Sequence, residues 1–132
     1  MLSKPEKALP KPTDSELELL RILWKLGPAT VRQVHESQEP AKTSGYTTTL
    51  KLMQIMAEKG LVQRDESAKA HLYSASFTEQ HARKRMVGEL VDRLFAGSTA
   101  QLVLHALANR KSSPKELDEI RQLLGNYEGA KR

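Results

Sequence analysis

The sequence predicts a mainly α-helical fold with one small β-hairpin, and two observations carry this prediction. Apolar residues recur at helical spacing over most of the 132 residues, in segments separated by capping residues and glycines. Between the third and fourth helical segments, two short runs alternate apolar and polar residues around a polar turn, as in a hairpin.

Two capping boxes mark the starts of the first two helices. Thr13 and Glu16 form the first, and the helix that follows ends at Gly27. Thr30 and Gln33 form the second, at the start of a short helix predicted over residues 31–37. The apolar stripe of the first helix comprises Leu17, Leu20, Leu23 and Trp24. We therefore expect Trp24 to pack in a core and not to stack on a base.

A third helix is predicted over residues 46–59, closed by Gly60. Its core face comprises Thr49, Leu52, Met53 and Met56, which follow the helical repeat. The opposite face carries small polar groups and a lysine, namely Thr47, Lys51 and Gln54, flanked by Ser44 and Thr48. Side chains of this kind suit contacts with DNA phosphates and base edges.

The hairpin is predicted from strands at residues 61–64 and 70–74, joined by a polar turn. Three helices followed by a hairpin is the order of elements in a winged helix-turn-helix domain. We assign residues 12–76 to that domain and residues 1–11, which contain three prolines, to a flexible tail.

The rest of the chain is predicted to be helical. Residues 77–126 are expected to form a helical dimerisation domain, followed by a C-terminal tail at residues 127–132. The apolar stripes exceed what three short helices bury among themselves, which favours a two-fold homodimer; the alternative is packing on the chain's own winged domain. The residues predicted for dimerisation are Met86, Val87, Leu90, Val91, Leu94, Leu102, Val103, Leu107, Leu117, Ile120 and Leu124.

Composition narrows the function. A net charge of +5 permits binding to nucleic acid, and the absence of cysteine removes disulfides and thiolate chemistry. The chain begins without a signal peptide and has no membrane-spanning run, so a cytoplasmic location without membrane insertion is expected. We find no sequence motif of an enzyme and no metal-ligand spacing among the four histidines, and expect no catalytic activity, cofactor or metal.

The predicted partner is therefore double-stranded DNA carrying an inverted repeat. Thr47, Thr48 and Lys51 are predicted for base or near-base contacts. The remaining DNA-binding candidates, mainly for phosphate contacts, are Arg32, Ser44, Tyr46, Arg64, Lys69 and His71. Two alternatives stay open, a winged-helix module that binds another protein and a metal-responsive regulator that uses histidines.

The chain resembles the penicillinase-repressor family of bacterial regulators, the BlaI, MecI and CopY type. The resemblance is carried by residues 13–18, 23–34, 45–50 and 58–62, and by His71-Leu72-Tyr73 at the end of the hairpin. It extends from about Pro12 to Leu124. The order and spacing of these motifs together make it specific.

The resemblance implies a homodimeric repressor on a palindromic operator, released by a stress signal. In the β-lactam branch of the family, a sensor metallopeptidase in the membrane leads to cleavage of the repressor in a stretch that matches residues 102–106 here. Relatives that are cut have Asn-Phe where this chain has His105-Ala106. The copper-sensing branch uses a C-terminal cysteine cluster, which this chain lacks.

Overall fold

A computed structural model describes residues 10–38 and 45–131 of the chain, with side chains as far as Glu128. Residues 1–9 of the predicted N-terminal tail lie outside the described residues, as does Ser44. The elements are α1 (Asp14–Leu26), α2 (Val31–Glu36), α3 (Tyr46–Lys59), β1 (Val62–Asp65), β2 (Leu72–Ala75), α4 (Glu79–Leu94), α5 (Thr99–Asn109) and α6 (Pro114–Lys131). They fall into two compact units, divided after Val87 within α4.

Both predicted capping boxes are confirmed. Thr13 Oγ1 accepts the backbone N–H of Glu16 at 3.1 Å, and Glu16 Oε1 accepts the backbone N–H of Thr13 at 3.0 Å. Thr30 and Gln33 make the same reciprocal pair at 3.1 and 2.9 Å. Each box satisfies two backbone donors near a helix start and fixes where the helix begins.

The core of the first unit lies where α1, α2 and α3 meet the hairpin. Its fully buried side chains include Leu19, Leu20, Leu23, Val34, Met53, Met56 and Leu61. Trp24 is half-buried against this core, and its indole Nε1–H donates to the carbonyl oxygen of Phe77 at 2.9 Å. The predicted packing role of Trp24 is thereby confirmed.

The hairpin begins slightly later than predicted in both strands. The backbone N–H of Leu61 donates to Met56 O, so Leu61 closes α3 and β1 begins at Val62. The two strands are antiparallel, with Arg64 opposite Tyr73. Tyr73 also exchanges two backbone hydrogen bonds with Ala29, at 2.8 and 2.9 Å. This bridge ties the α1–α2 connection to the hairpin.

A partly buried ion pair joins the start of α1 to the end of α3. Lys59 Nζ lies 2.7 Å from Glu16 Oε1, and the Glu16 side chain is only 3% exposed. Burial raises the pKa of the Glu16 carboxyl, but the hydrogen bonds from Lys59 and Thr13 outweigh it and hold the pKa below its ordinary value. The carboxylate therefore both caps α1 and holds α1 against α3.

The second unit consists of the end of α4 with α5 and α6. Ser98 caps α5 and Ser113 caps α6 through hydrogen bonds to the backbone N–H three residues ahead. Helix α6 continues to Lys131, so residues 127–131, predicted as a tail, are helical instead. Residues 125–131 include no proline and two glycines, which a helix tolerates. None of the described helices is both long and apolar enough to span a membrane.

Candidate nucleic-acid interface

Helix α3 presents two chemically different sides. Thr49, Met53 and Met56 are buried, which confirms the predicted core face. The opposite side exposes Thr47, Thr48, Lys51 and Gln54. The N-cap residue is Gly45, which makes no side-chain cap hydrogen bond. The start of a helix carries a partial positive charge that favours an anion.

Arg32 and Tyr46, two of the predicted DNA-binding residues, are brought together. The Arg32 guanidinium carbon lies 4.8 Å from the centre of the Tyr46 ring, a cation–π arrangement between α2 and the first residue of α3. Both side chains remain exposed. The ring therefore holds a positive charge near the start of α3 without neutralising it.

Sequence reasoning missed a polar cluster beneath this pair. His35 Nδ1 lies 3.0 Å from Thr49 Oγ1, and Thr49 Oγ1 lies 3.4 Å from Gln38 Oε1. Thr49 has no solvent exposure. The only sequence signal was a threonine on an otherwise apolar face of α3, and nothing in the sequence indicated its partners.

Arg64 on β1 is held by its neighbours. Its Nε lies 2.6 Å from Glu66 Oε2, and a hydrogen bond with Tyr73, followed by the Glu66 charge, raises the pKa of the guanidinium. Arg64 and Glu66 are both partly exposed. A phosphate that binds Arg64 therefore has to compete with a carboxylate.

Lys69 and His71 lie in the exposed connection between β1 and β2. In the same connection, the backbone N–H of Ser67 donates to Asp65 Oδ1 at 2.9 Å, which lowers the pKa of the Asp65 carboxyl. The described DNA-binding candidates thus lie on different elements, namely α2, α3 and the hairpin.

Most residues predicted for dimerisation are open to solvent in the single chain. Val87, Leu90, Leu94, Val103, Leu107 and Leu124 are between 38% and 67% exposed. Met86, Leu102, Leu117 and Ile120 are half-buried. Val91 is only 8% exposed in the single chain, so it offers less surface to a partner than the other residues predicted for dimerisation.

Three exposed apolar side chains of the second unit are absent from the residues predicted for dimerisation. Leu104 is 58% exposed, Leu123 is 67% exposed and Tyr127 is 65% exposed. Tyr127 follows Leu123 and Leu124 by one helical turn, a spacing that would have identified it had α6 been predicted to continue.

Among the residues that the structure describes, no three potential metal ligands of the His, Cys, Asp or Glu type come together. His35, His71, His81 and His105 lie in four separate parts of the fold. His105 Nδ1 donates to the carbonyl oxygen of Gln101 at 2.9 Å, and its ring lies 5.3 Å from that of Phe95.

The first unit is thus a winged helix-turn-helix, with the second helix of the pair exposing small polar groups and the hairpin as its wing. In this class of protein, the second helix of the pair enters the major groove of DNA. A family model for the penicillinase repressor matches residues 12–126. The chain therefore belongs to the penicillinase repressor family, whose members are transcriptional repressors and not enzymes.

Individual relatives cover nearly the whole chain. The penicillinase repressor of Bacillus licheniformis is 21% identical over 126 residues, which are 96% of this chain and 98% of the relative. The transcriptional regulator BlaI of Mycobacterium tuberculosis is 31% identical over 121 residues, 87% of this chain and 83% of the relative. The solution structure of the monomeric form of Bacillus licheniformis BlaI with the blaP half-operator matches at 19% identity and a TM-score of 0.48, over 55% of this chain and 88% of that one.

Proposed function

We propose that this protein is a transcriptional repressor that binds an inverted-repeat DNA operator as a homodimer. The observation that carries the proposal is the exposed side of α3, where Thr47, Thr48 and Lys51 surround a helix start whose N-cap has no side chain. Threonine and lysine side chains donate to base edges and phosphates, and the helix start attracts a phosphate. Membership in a repressor family supports the same role.

Around α3, the proposed phosphate contacts come from α2 and from the hairpin. Arg32 is pre-positioned over Tyr46, and Lys69 and His71 extend from the hairpin. Arg64 contributes only when it is released from Glu66. Ser44, which lies outside the described residues, is retained as a proposed phosphate contact.

The homodimer is supported by the apolar surface of the second unit. Leu107 and Val103 on α5 and Leu124 on α6 lie among several large apolar side chains that are 38–67% exposed. Burying an exposed Leu or Val side chain contributes about 1.5–3 kcal/mol, and a second copy presents the same surface. Two winged units related by a two-fold axis would then read the two halves of an inverted repeat.

Release by a stress signal completes the proposal. The stress signal is sensed by a membrane metallopeptidase, and the repressor is released from DNA by proteolysis, as the resemblance to the β-lactam branch implies. His105-Ala106 lies on α5, and both residues are exposed. The protease that cuts here would have to accept His-Ala in place of Asn-Phe.

The decisive experiment is a titration of the protein against a duplex from immediately upstream of its own gene. A scrambled duplex of equal length, at about 150 mM salt, is the reference. Specific regulators prefer their sites by ~10³-fold or more. We expect that margin, with two chains on each duplex; equal and weak binding to both duplexes would contradict the proposal.

Two variants test the assignment of α3. Lys51→Ala and Thr48→Ala should each weaken operator binding by about 1–3 kcal/mol, since each removes a predicted base contact. Lys115→Ala on α6 is the matched control, because Lys115 is another exposed helical lysine that lies outside the winged unit. Unchanged discrimination in both α3 variants would refute the choice of these residues.

A further inference from the structure

Beneath the exposed face of α3, side chains from α2 form a polar connection to it. His35 on α2 has two partners on α3: its Nδ1 lies 3.0 Å from Thr49 Oγ1, and its ring meets the Tyr46 ring edge-on at 5.8 Å between centroids. Gln38, just beyond α2, provides the third polar group through its Oε1. Thr49 is fully buried and His35 is half-buried.

The direction of the hydrogen bonds follows from the chemistry of the threonine hydroxyl. It has a single proton, and at the Gln38 carbonyl oxygen it can only donate. Its oxygen then accepts from His35, which places a proton on Nδ1. The chain of donation runs from His35 through Thr49 to Gln38, with the longer bond at the Gln38 end.

The partners of His35 are three residues apart on α3, one turn of helix. A contact at Tyr46 together with one at Thr49 fixes both the rotation and the axial position of that turn. Thr47 and Thr48 lie within the same turn and are exposed. Any rotation of the turn about the helix axis therefore displaces the two threonines that are proposed to meet DNA.

We propose that His35 and Gln38 are positioning residues that set the orientation of the DNA-facing turn of α3 by hydrogen bonding to the buried Thr49 hydroxyl. This inference rests on the proposed DNA-binding function. It gives His35, Gln38 and Thr49, which the predicted interface did not include, a role in sequence discrimination. A merely apolar contact would fill the same space but would not fix the rotation, because dispersion contacts are not directional.

The test compares isosteric and hydroxyl-retaining variants in the full-length chain. Thr49→Val keeps the volume and removes the hydroxyl, whereas Thr49→Ser keeps the hydroxyl. His35→Leu removes the donor, whereas His35→Asn retains a donor near the position of Nδ1. Thr99→Val, at the exposed start of α5, is the control for the same chemical change elsewhere.

Two readouts are measured for each variant. The first is affinity for the upstream duplex and for the scrambled duplex. We expect Thr49→Val and His35→Leu to lower operator affinity about tenfold and to leave scrambled-duplex affinity within about twofold, with Thr49→Ser and His35→Asn close to the unmodified protein. An equal loss for both duplexes, or no loss, would overturn the inference.

The second readout needs no DNA. Amide hydrogen exchange of residues 49–53 should become about tenfold faster in Thr49→Val and stay unchanged in Thr49→Ser and Thr99→Val. If the unmodified protein fails to prefer the upstream duplex, the proposed function fails, and exchange alone decides the positioning role. Unchanged exchange in Thr49→Val would then overturn it, and faster exchange confined to α3 would support it.

Discussion

Replacing Lys59 by methionine should destabilise the winged unit more than replacing its partner Glu16 by glutamine. The two charges differ in exposure: the Glu16 side chain is 3% exposed and the Lys59 side chain 32%. Lys59→Met leaves a buried carboxylate without its cation. Glu16→Gln leaves an ammonium that water already reaches, and glutamine still serves in the capping box.

The magnitudes follow from this asymmetry. Removing one partner of a fully buried pair costs about 3–5 kcal/mol. Lys59 is a third exposed and the Thr13 backbone N–H still binds the carboxylate, so we expect about 2 kcal/mol for Lys59→Met. Glu16→Gln should cost about 1 kcal/mol. Because the two residues are in contact, the double variant should lose less than the sum of the single losses.

The loss of stability in Lys59→Met should also depend on pH, in a direction that is set by the pKa of Glu16. Burial raises that pKa, but the hydrogen bonds from Lys59 and Thr13 bring it below the ordinary value of 4.5. A carboxyl whose folded pKa is lowered contributes stability above its unfolded pKa and loses it as pH falls through the folded pKa. The difference in the free energy of unfolding between the unmodified protein and Lys59→Met should therefore be full near pH 7 and shrink as the pH falls below the ordinary value of 4.5.

Urea denaturation followed by fluorescence of Trp24 measures this directly, because Trp24 is the sole tryptophan and lies in the winged unit. Lys84→Met, at an exposed lysine on α4, is the matched control and should leave the free energy of unfolding nearly unchanged. If Lys59→Met lowers the free energy of unfolding by the same amount at pH 7 and pH 3, the ionic explanation is refuted and the effect is due to packing.

Three further predictions concern other parts of the molecule. Glu66→Gln should strengthen operator binding about two- to fivefold by freeing Arg64, and should have less effect in an Arg64→Ala background; titration of the four proteins checks this. Gly60→Ala should lower the free energy of unfolding by about 1 kcal/mol because Gly60 has a φ of 86°, whereas Gly125→Ala within α6 should raise it by up to about 1 kcal/mol; urea denaturation distinguishes them. Leu124→Glu should give monomers in sedimentation velocity and weaken operator binding, since Leu124 is 61% exposed in the single chain.

Local chemistry explains why much of this fold can be read from the sequence. The capping boxes of α1 and α2 and the left-handed glycine after α3 each involve residues within one turn of a helix end, and all lie where predicted. The core face of α3 follows from its 3.6-residue period. The hairpin was placed less accurately, because its strand ends depend on the Leu61 N–H and on the Ala29–Tyr73 bridge, neither of which is encoded by alternation.

The sequence indicated the exposure of Thr47 and Lys51, which the helical repeat alone decides, but it did not indicate contacts between residues that are distant in the sequence. His35 and Thr49 are separated by 14 positions, and Glu16 and Lys59 by 43. Which residues meet in such pairs depends on how the helices pack. The same is true of Glu66: its position near Arg64 was visible, but a carboxylate in a polar turn has many possible partners until the turn has a conformation.

The contrast between the two units bears on how the protein works. The winged unit buries large side chains such as Leu20, Met53 and Met56 completely, whereas none of the residues of α5 is buried. Helices of this length are marginal in water unless an apolar face is covered. The described surface of α5 and α6 exposes Leu104, Leu107 and Leu124. Within the proposed homodimer, association and the stability of these helices are therefore coupled, and a cut in α5 would weaken the dimer by destabilising the helix that supports it.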